Sequence, residues 1–354
     1  MEFRTRAFLV ASGLAIGLMC GCAPGERSEQ ATTRTGVSGG DSTVTEELDA
    51  PWSIAFHGST ALVSERDSGR ILEIGPDGTQ YEVGVIDDVE PSGEGGLLGI
   101  AVREGHLFAY YTTADDNRIE RFNLTGPPGN LELSGGTPIL TGLPAATNHN
   151  GGRIAFGPDG MLYATVGDAG NRTTAQDRAS LGGKILRMTP DGRAPADNPT
   201  PGSLVYSYGH RNPQGLTWAP DGRMFASEFG QNTWDELNLI EPGGNYGWPE
   251  VEGIAGRAGF IDPVQQWKPS EASPSGMTNI DGFVYLANLR GERLRRIPLD
   301  DLAHSTELLV GEYGRLRDVA VAPDRSLWLL TNNTDGRGDP AAGDDRVVRL
   351  GLDN

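Results

Sequence analysis

From about Leu48 onward the chain alternates short apolar runs with turn residues. Ser53-Ile54-Ala55-Phe56, Ala61-Leu62-Val63-Ser64 and Arg70-Ile71-Leu72-Glu73-Ile74 show the pattern. Runs of this length suit β-strands, and no stretch of about 11 residues carries a helical period. Between the runs stand Pro76-Asp77-Gly78, Pro158-Asp159-Gly160, Pro190-Asp191-Gly192 and Pro220-Asp221-Gly222, with Pro323-Asp324-Arg325 as a decayed copy. Proline presets φ at the second position of a turn, and Asp and Gly tolerate the positions that follow.

Three of these turns share a longer frame. Ile154-Ala155-Phe156-Gly157 precedes one and Met161-Leu162-Tyr163-Ala164 follows it. Leu216-Thr217-Trp218-Ala219 and Arg223-Met224-Phe225-Ala226 flank the second, and Val319-Ala320-Val321-Ala322 and Ser326-Leu327-Trp328-Leu329 the third. Each reads as strand, Pro-Asp-Gly turn, strand. A repeated hairpin predicts an all-β, six-bladed β-propeller, since roughly 310 residues at ~50 per blade hold six blades. A β-helix or a pair of sandwiches is the competing architecture. The repeating unit is a hairpin and not a single rung, which favours the propeller.

The N-terminus breaks the pattern. Arg4 and Arg6 precede an apolar run from Ala7 to Gly21, 15 residues long. That is short for a bilayer span and right for the apolar region of a signal peptide. The run ends Leu18-Met19-Cys20-Gly21-Cys22, similar to a bacterial lipobox with Cys22 as the lipidated residue; plain export with cleavage nearby is the alternative. Residues 22–46 are small and polar and read as a flexible tether. The expected organisation is a lipoprotein-type signal peptide at 1–21, a tether at 22–46 and the propeller at 47–354, held at the outer face of a membrane by lipid alone.

Composition narrows the chemistry. The net charge is −19, from 48 acidic and 29 basic residues. So acidic a surface repels phosphate backbones and excludes nucleic acid as a partner. Cys20 and Cys22 are the only cysteines, so there is no disulfide framework. None of the five histidines is paired at i, i+4, which argues against a zinc hydrolase.

Polar and glycine residues crowd at strand ends between 145 and 250. Thr147-Asn148-His149-Asn150-Gly151-Gly152-Arg153 leads into one strand and Val166-Gly167-Asp168-Ala169-Gly170 closes the next. The hairpin between them places His149 and Asp168 on one face, where a carboxylate can orient an imidazole as a general base. Taken alone, His149 could equally be a loop histidine bonded to backbone. In Ser207-Tyr208-Gly209-His210-Arg211-Asn212-Pro213, Arg211 can clamp a carboxylate and Asn212 can add an amide contact, while His210 reads as a supporting histidine. The segment Ser227–Glu236, followed by Gly243-Gly244-Asn245-Tyr246-Gly247-Trp248-Pro249, offers oxygen donors without His or Cys, as calcium prefers. Asp235 and Glu236 alone would pass for surface acids. Arg315-Leu316-Arg317 puts two guanidiniums on one side of a strand, a wall for a small polyanion or a pair of surface ion pairs.

These strings together resemble the soluble glucose/sorbosone dehydrogenases, the quinoprotein aldose sugar dehydrogenases. The resemblance covers nearly all of 48–350 and rests on Pro51-Trp52-Ser53-Ile54-Ala55-Phe56, Gly93-Glu94-Gly95-Gly96-Leu97-Leu98-Gly99, His149-Asn150-Gly151-Gly152-Arg153, Gly209-His210-Arg211-Asn212-Pro213-Gln214-Gly215, Gly243–Pro249 and Arg315-Leu316-Arg317-Asp318-Val319. It implies a six-bladed propeller that binds pyrroloquinoline quinone (PQQ) and Ca2+ and oxidises the C1 hydroxyl of an aldose to a lactone. The electron acceptor stays open. The catalytic set implied is His149, Asp168 and Arg211. The cofactor contacts implied are Glu94, Asn148, Asn212, Arg290, Arg315 and Arg317. Carbonyls of Gly230 and Gln231 would hold the catalytic calcium, and Asp235, Glu236 and the Tyr246 carbonyl a second, structural one. Asn148, Glu94 and Arg290 stand where the family's glucose oxidisers carry Asp, Gln and Lys. Two further readings are a calcium-dependent lactonase and a non-catalytic binding module on the same fold.

Overall fold

The computed structural model describes residues 39–351. The signal segment, Cys22 and the first part of the expected tether lie outside these residues. The chain enters on strand β1 (Gly39–Thr45). Blade one follows with β2 (Pro51–His57), β3 (Thr60–Glu65), β4 (Arg70–Ile74) and β5 (Gln80–Val85). Blade two is β6 (Leu97–Arg103), β7 (His106–Thr112), β8 (Asn117–Thr125) and β9 (Glu132–Leu143). Blade three is β10 (Ile154–Phe156), β11 (Leu162–Val166), β12 (Lys184–Met188) and β13 (Val205–Tyr208). Blade four is β14 (Pro213–Trp218), β15 (Met224–Glu228), β16 (Asp235–Ile240) and β17 (Gln265–Trp267). Blade five is β18 (Pro274–Ile280), β19 (Phe283–Asn288), β20 (Arg293–Pro298) and β21 (Thr306–Leu308). Blade six is β22 (Leu316–Val321), β23 (Leu327–Thr331) and β24 (Val347–Gly351), completed by β1.

Each sheet is a four-stranded antiparallel meander, and the sixth runs β1-β24-β23-β22, so an N-terminal strand closes the ring against the last. The six-bladed expectation holds. The tether boundary does not: Gly39–Thr45 is strand, paired Ser42 to Arg349 and Thr43 to Val348. Its residues are polar because it is an outermost strand, where one face and one edge meet water. The three predicted Pro-Asp-Gly hairpins are the β10–β11, β14–β15 and β22–β23 pairs. Helix is confined to one 3₁₀ turn, Arg172–Ala175, among the described residues. No helix of these residues is long and apolar enough to cross a membrane.

The core is distributed around the ring. Six apolar clusters occupy the six junctions between successive blades. Leu62, Ile71, Leu107 and Tyr111 fill the first junction; Leu72, Val63, Leu330 and Val347 fill the closing one. Middle strands such as β3 and β11 are buried along their whole length, because neighbouring blades cover both faces. The first strands of the blades neighbour one another around the centre. Strands alternate in direction, so every second-to-third-strand loop and every blade-to-blade connection emerges at the same end. Residues 66, 94, 149, 168, 211, 230, 290, 315 and 337 all lie in such segments or at their strand ends.

Candidate active site

At that end, His149 lies in the connection from β9 to β10 in a left-handed backbone conformation, φ +58°. Its amide donates to Glu94 Oε2 at 2.8 Å, and its Nδ1 lies 2.6 Å from Asp168 Oδ1. Gly167 makes this approach possible, because a Cβ there would collide with the His149 carbonyl. Asp168 is fully buried and accepts from Trp248 Nε1 and the Gly170 amide, each at 2.8 Å. Burial works to raise its pKa, but hydrogen bonds from His149, Trp248 and Gly170 outweigh it and hold the carboxyl below its ordinary value. An ionised acceptor at Nδ1 places the imidazole proton there and leaves Nε2 as the basic nitrogen. Asn148 is exposed, its amide nitrogen 3.4 Å from that Nε2.

Arg211 leans over Trp248, 5.6 Å from the ring centre, and donates through Nη1 to the carbonyls of Phe229 at 3.1 Å and Gly230 at 2.6 Å. Among the described residues its Nε has no partner, and burial lowers its pKa. Asn212 is a buried link: its Oδ1 accepts from the Gly151 amide at 3.0 Å and from Gln214 Nε2 at 3.0 Å.

Beside this group opens a cavity of about 470 Å³ whose wall includes Glu94, Arg290, Arg315 and Arg317. Arg315 pairs with Asp335 at 3.1 Å. Arg317 stacks on Trp52 with its guanidinium carbon 4.2 Å from the ring centre, and Arg153 stacks on the same ring at 4.3 Å. Arg153 is neutralised by Asp318 at 2.8 Å. Among the described residues Arg317 reaches only Gln214 Oε1, at 3.0 Å, and its Nε has no partner. Burial first, then Arg153, lower its pKa well below the ordinary arginine value. A buried cation so placed is the electrostatic complement of an anion.

Sequence reasoning did not assign Trp52, Arg66, Gln214, Trp248, Asp335 or Arg337, all in or beside this site. Trp52, Gln214 and Trp248 lie within the quoted motifs and could have been found there. Arg66, Asp335 and Arg337 sit in loops whose composition marks only a turn.

Of the expected metal residues, Gly230, Glu236 and Tyr246 share the wall of one small pocket with Glu228 and Glu252, and Asp235 stands outside that lining. Gly230 offers its carbonyl to Arg211, and the amide of Gln231 is held by Glu252 Oε1 at 2.8 Å. Asp235 and Glu236, expected to share one cation with Tyr246, are successive residues of β16 and turn to opposite faces. The Asp235 carboxylate receives the amides of Gly230 at 2.8 Å and Ser273 at 2.7 Å, and burial pushes it up to about 6. Glu236 receives the Gly253 amide at 2.7 Å and lies opposite Glu228 across the β15–β16 pairing. Burial, then Glu228, push it up to about 8. Tyr246, expected to contribute its carbonyl, is anchored through its hydroxyl, which donates to the Leu239 carbonyl at 2.7 Å. No group of three His, Cys, Asp or Glu side chains among the described residues is arranged to hold a metal.

Comparison with known proteins identifies the family. The PQQ-bound form of aldose sugar dehydrogenase from Streptomyces coelicolor superposes with TM-score 0.85 and 52% identity, over 90% of this chain and all (100%) of that one. Aldose sugar dehydrogenase YliI of Escherichia coli is 30% identical over 82% of this chain and 89% of its own length. Quinoprotein glucose dehydrogenase B of Acinetobacter calcoaceticus is 33% identical over 56% of this chain and 49% of its own length. A model of the Glucose / Sorbosone dehydrogenase family matches residues 48–339. The chain belongs to the glucose/sorbosone dehydrogenase family.

Proposed function

We propose that the protein is a PQQ-dependent aldose dehydrogenase that oxidises the C1 hydroxyl of a sugar to the lactone. The observation that carries this reading is the pairing of His149 with Asp168 at 2.6 Å beside a cavity walled by arginines. The lining fits a small polyanion: Arg317 is buried, stacked and unpaired at Nε. Oxygen donors at Gly230 and Gln231 are of the type a hard cation takes, and the Gly230 carbonyl, which accepts from Arg211 here, would exchange that partner for the cation.

Bound there, PQQ would supply a quinone that accepts hydride, and calcium at the Gly230 and Gln231 carbonyls would polarise it. Arg290, Arg315 and Arg317, which line the cavity, would hold the cofactor carboxylates. His149 Nε2 takes the proton of the C1 hydroxyl as the C1 hydride departs. Asp168 keeps the proton on Nδ1, fixes the ring and stabilises the imidazolium. Trp248 and Gly170 keep Asp168 ionised and in place. Arg211 stabilises negative charge developing opposite His149. Export, with a lipid at Cys22, is part of the same reading and rests on the N-terminal sequence.

Reconstitution tests it. Protein stripped of metal and cofactor is given PQQ and Ca2+ and assayed with aldoses and a redox dye. Dye reduction that requires PQQ and sugar is expected; lactone hydrolysis without dye reduction, or no turnover with PQQ bound, overturns the proposal.

A further inference from the structure

The cavity wall carries more guanidinium than the motifs supply. Besides Arg290, Arg315 and Arg317 it includes Arg66 and Arg337. Arg66 is committed elsewhere: Asp67 takes its Nε at 2.6 Å and its Nη2 at 2.9 Å, a bidentate pair. Arg337 is held differently. Among the described residues its guanidinium meets one carboxylate, Glu94 Oε1, at 3.4 Å, and its side chain is 50% exposed. That separation exceeds a charge-assisted hydrogen bond. Glu94 does not depend on it, since its other oxygen takes the His149 amide.

The backbone beneath Arg337 is firm. Asp335 Oδ1 accepts the Arg337 amide at 2.9 Å, and Asp335 Oδ2 pairs with Arg315 at 3.1 Å. Asp345 ties down the start of the same loop through the Asn333 amide at 2.6 Å and the Thr334 amide at 3.0 Å. A fixed backbone carrying a loosely held guanidinium at a cavity suits a group that changes partners. The charge balance agrees. With Arg66 neutralised by Asp67, four wall arginines face two wall carboxylates, Glu94 and Asp335, an excess of two positive charges. PQQ carries three carboxylates, and without Arg337 the excess of positive charge that meets them falls to one.

We propose that Arg337 is a cofactor-binding residue, its guanidinium exchanging Glu94 for a carboxylate of PQQ in the cavity. This rests on the proposed function above. Glu94 keeps the His149 amide when the exchange occurs, so the imidazole holds its place.

The test measures PQQ binding directly, by tryptophan-fluorescence titration of the cofactor-free protein at fixed calcium. Wild type, Arg337→Gln and Arg337→Lys are compared, with thermal midpoints recorded alongside. A charged hydrogen-bonded pair makes Arg337→Gln weaken PQQ binding by about 10–100-fold. Arg337→Lys recovers part of this, because it restores charge without the planar fork. PQQ binding to Arg337→Gln within about twofold of wild type overturns the proposal. So does a change confined to the KM for acidic sugars such as uronates, which assigns the arginine to substrate. Equal loss in both variants with a lowered thermal midpoint marks a structural role and also overturns it. Wild type that binds no PQQ overturns the functional reading together with this one.

Discussion

Trp248 donates its indole N–H to Asp168 Oδ2 at 2.8 Å, from 80 residues further along the chain. The other oxygen of that carboxylate faces His149 Nδ1. Trp248 therefore fixes the group that fixes the imidazole. Trp248→Phe keeps most of the ring volume and deletes one donor. Hydrogen bonds to charged groups contribute about 1.5–3 kcal/mol, so turnover in the dye assay is expected to fall about tenfold or more. Near-normal turnover would show that His149 and Gly170 suffice to hold the carboxylate.

The depressed pKa of Asp168 has a signed consequence for stability. Its unfolded value is near the model-peptide 3.8, and its folded value lies lower. The stabilisation is therefore complete above the unfolded value and is lost as pH falls through the folded one. The difference in urea-unfolding free energy between wild type and Asp168→Asn is expected to narrow below about pH 4, as the carboxylate takes up its proton. A difference that does not narrow between about pH 4 and 2 would mean that the folded protein does not hold this carboxylate below its ordinary value.

His149 is the proposed base, and its removal separates chemistry from binding. General-base catalysis contributes about 10²–10⁴-fold, so His149→Ala is expected to lose turnover by that factor. PQQ binding, measured by absorbance titration, is expected to persist, since the arginine wall is untouched. Near-normal dye reduction at saturating PQQ would remove His149 from the base role.

Local turn chemistry made half of the ring readable. Blades three, four and six announce their inner hairpins through Pro-Asp-Gly or its relative. Blades one, two and five make the same hairpin with tighter turns, at Gly58-Ser59, Glu104-Gly105 and Asp281-Gly282, which carry no proline. Strand β1 was hidden because Gly39-Gly40-Asp41-Ser42 has no apolar alternation; only its register with β24 makes it a strand. In the site, His149 and Asp168 were readable because one hairpin brings them together. Arg66 and Arg337 were not, because blade closure joins their loops and leaves no local signature.

That closure gives the last expectation. β1 covers the outer edge of β24, and its neighbours add long-range ties: Gln80 Nε2 to Thr45 Oγ1 at 3.0 Å, and the Leu48 amide to the Asp345 carbonyl at 2.9 Å. Asp345 also holds the loop that carries Asp335 and Arg337. Two shortened chains, one starting at Gly39 and one at Glu47, isolate the contribution of β1. A chain starting at Glu47 loses the β1 ladder, at about 0.5–1.5 kcal/mol for each hydrogen bond. Each kcal/mol lost lowers the thermal midpoint by about 2–4 °C in a domain of this class. It also bares the β24 edge to intermolecular pairing, so light scattering should rise before the melt. Equal midpoints for the two shortened chains would mean that the ring closes on β24 alone and that residues 39–46 are tether after all.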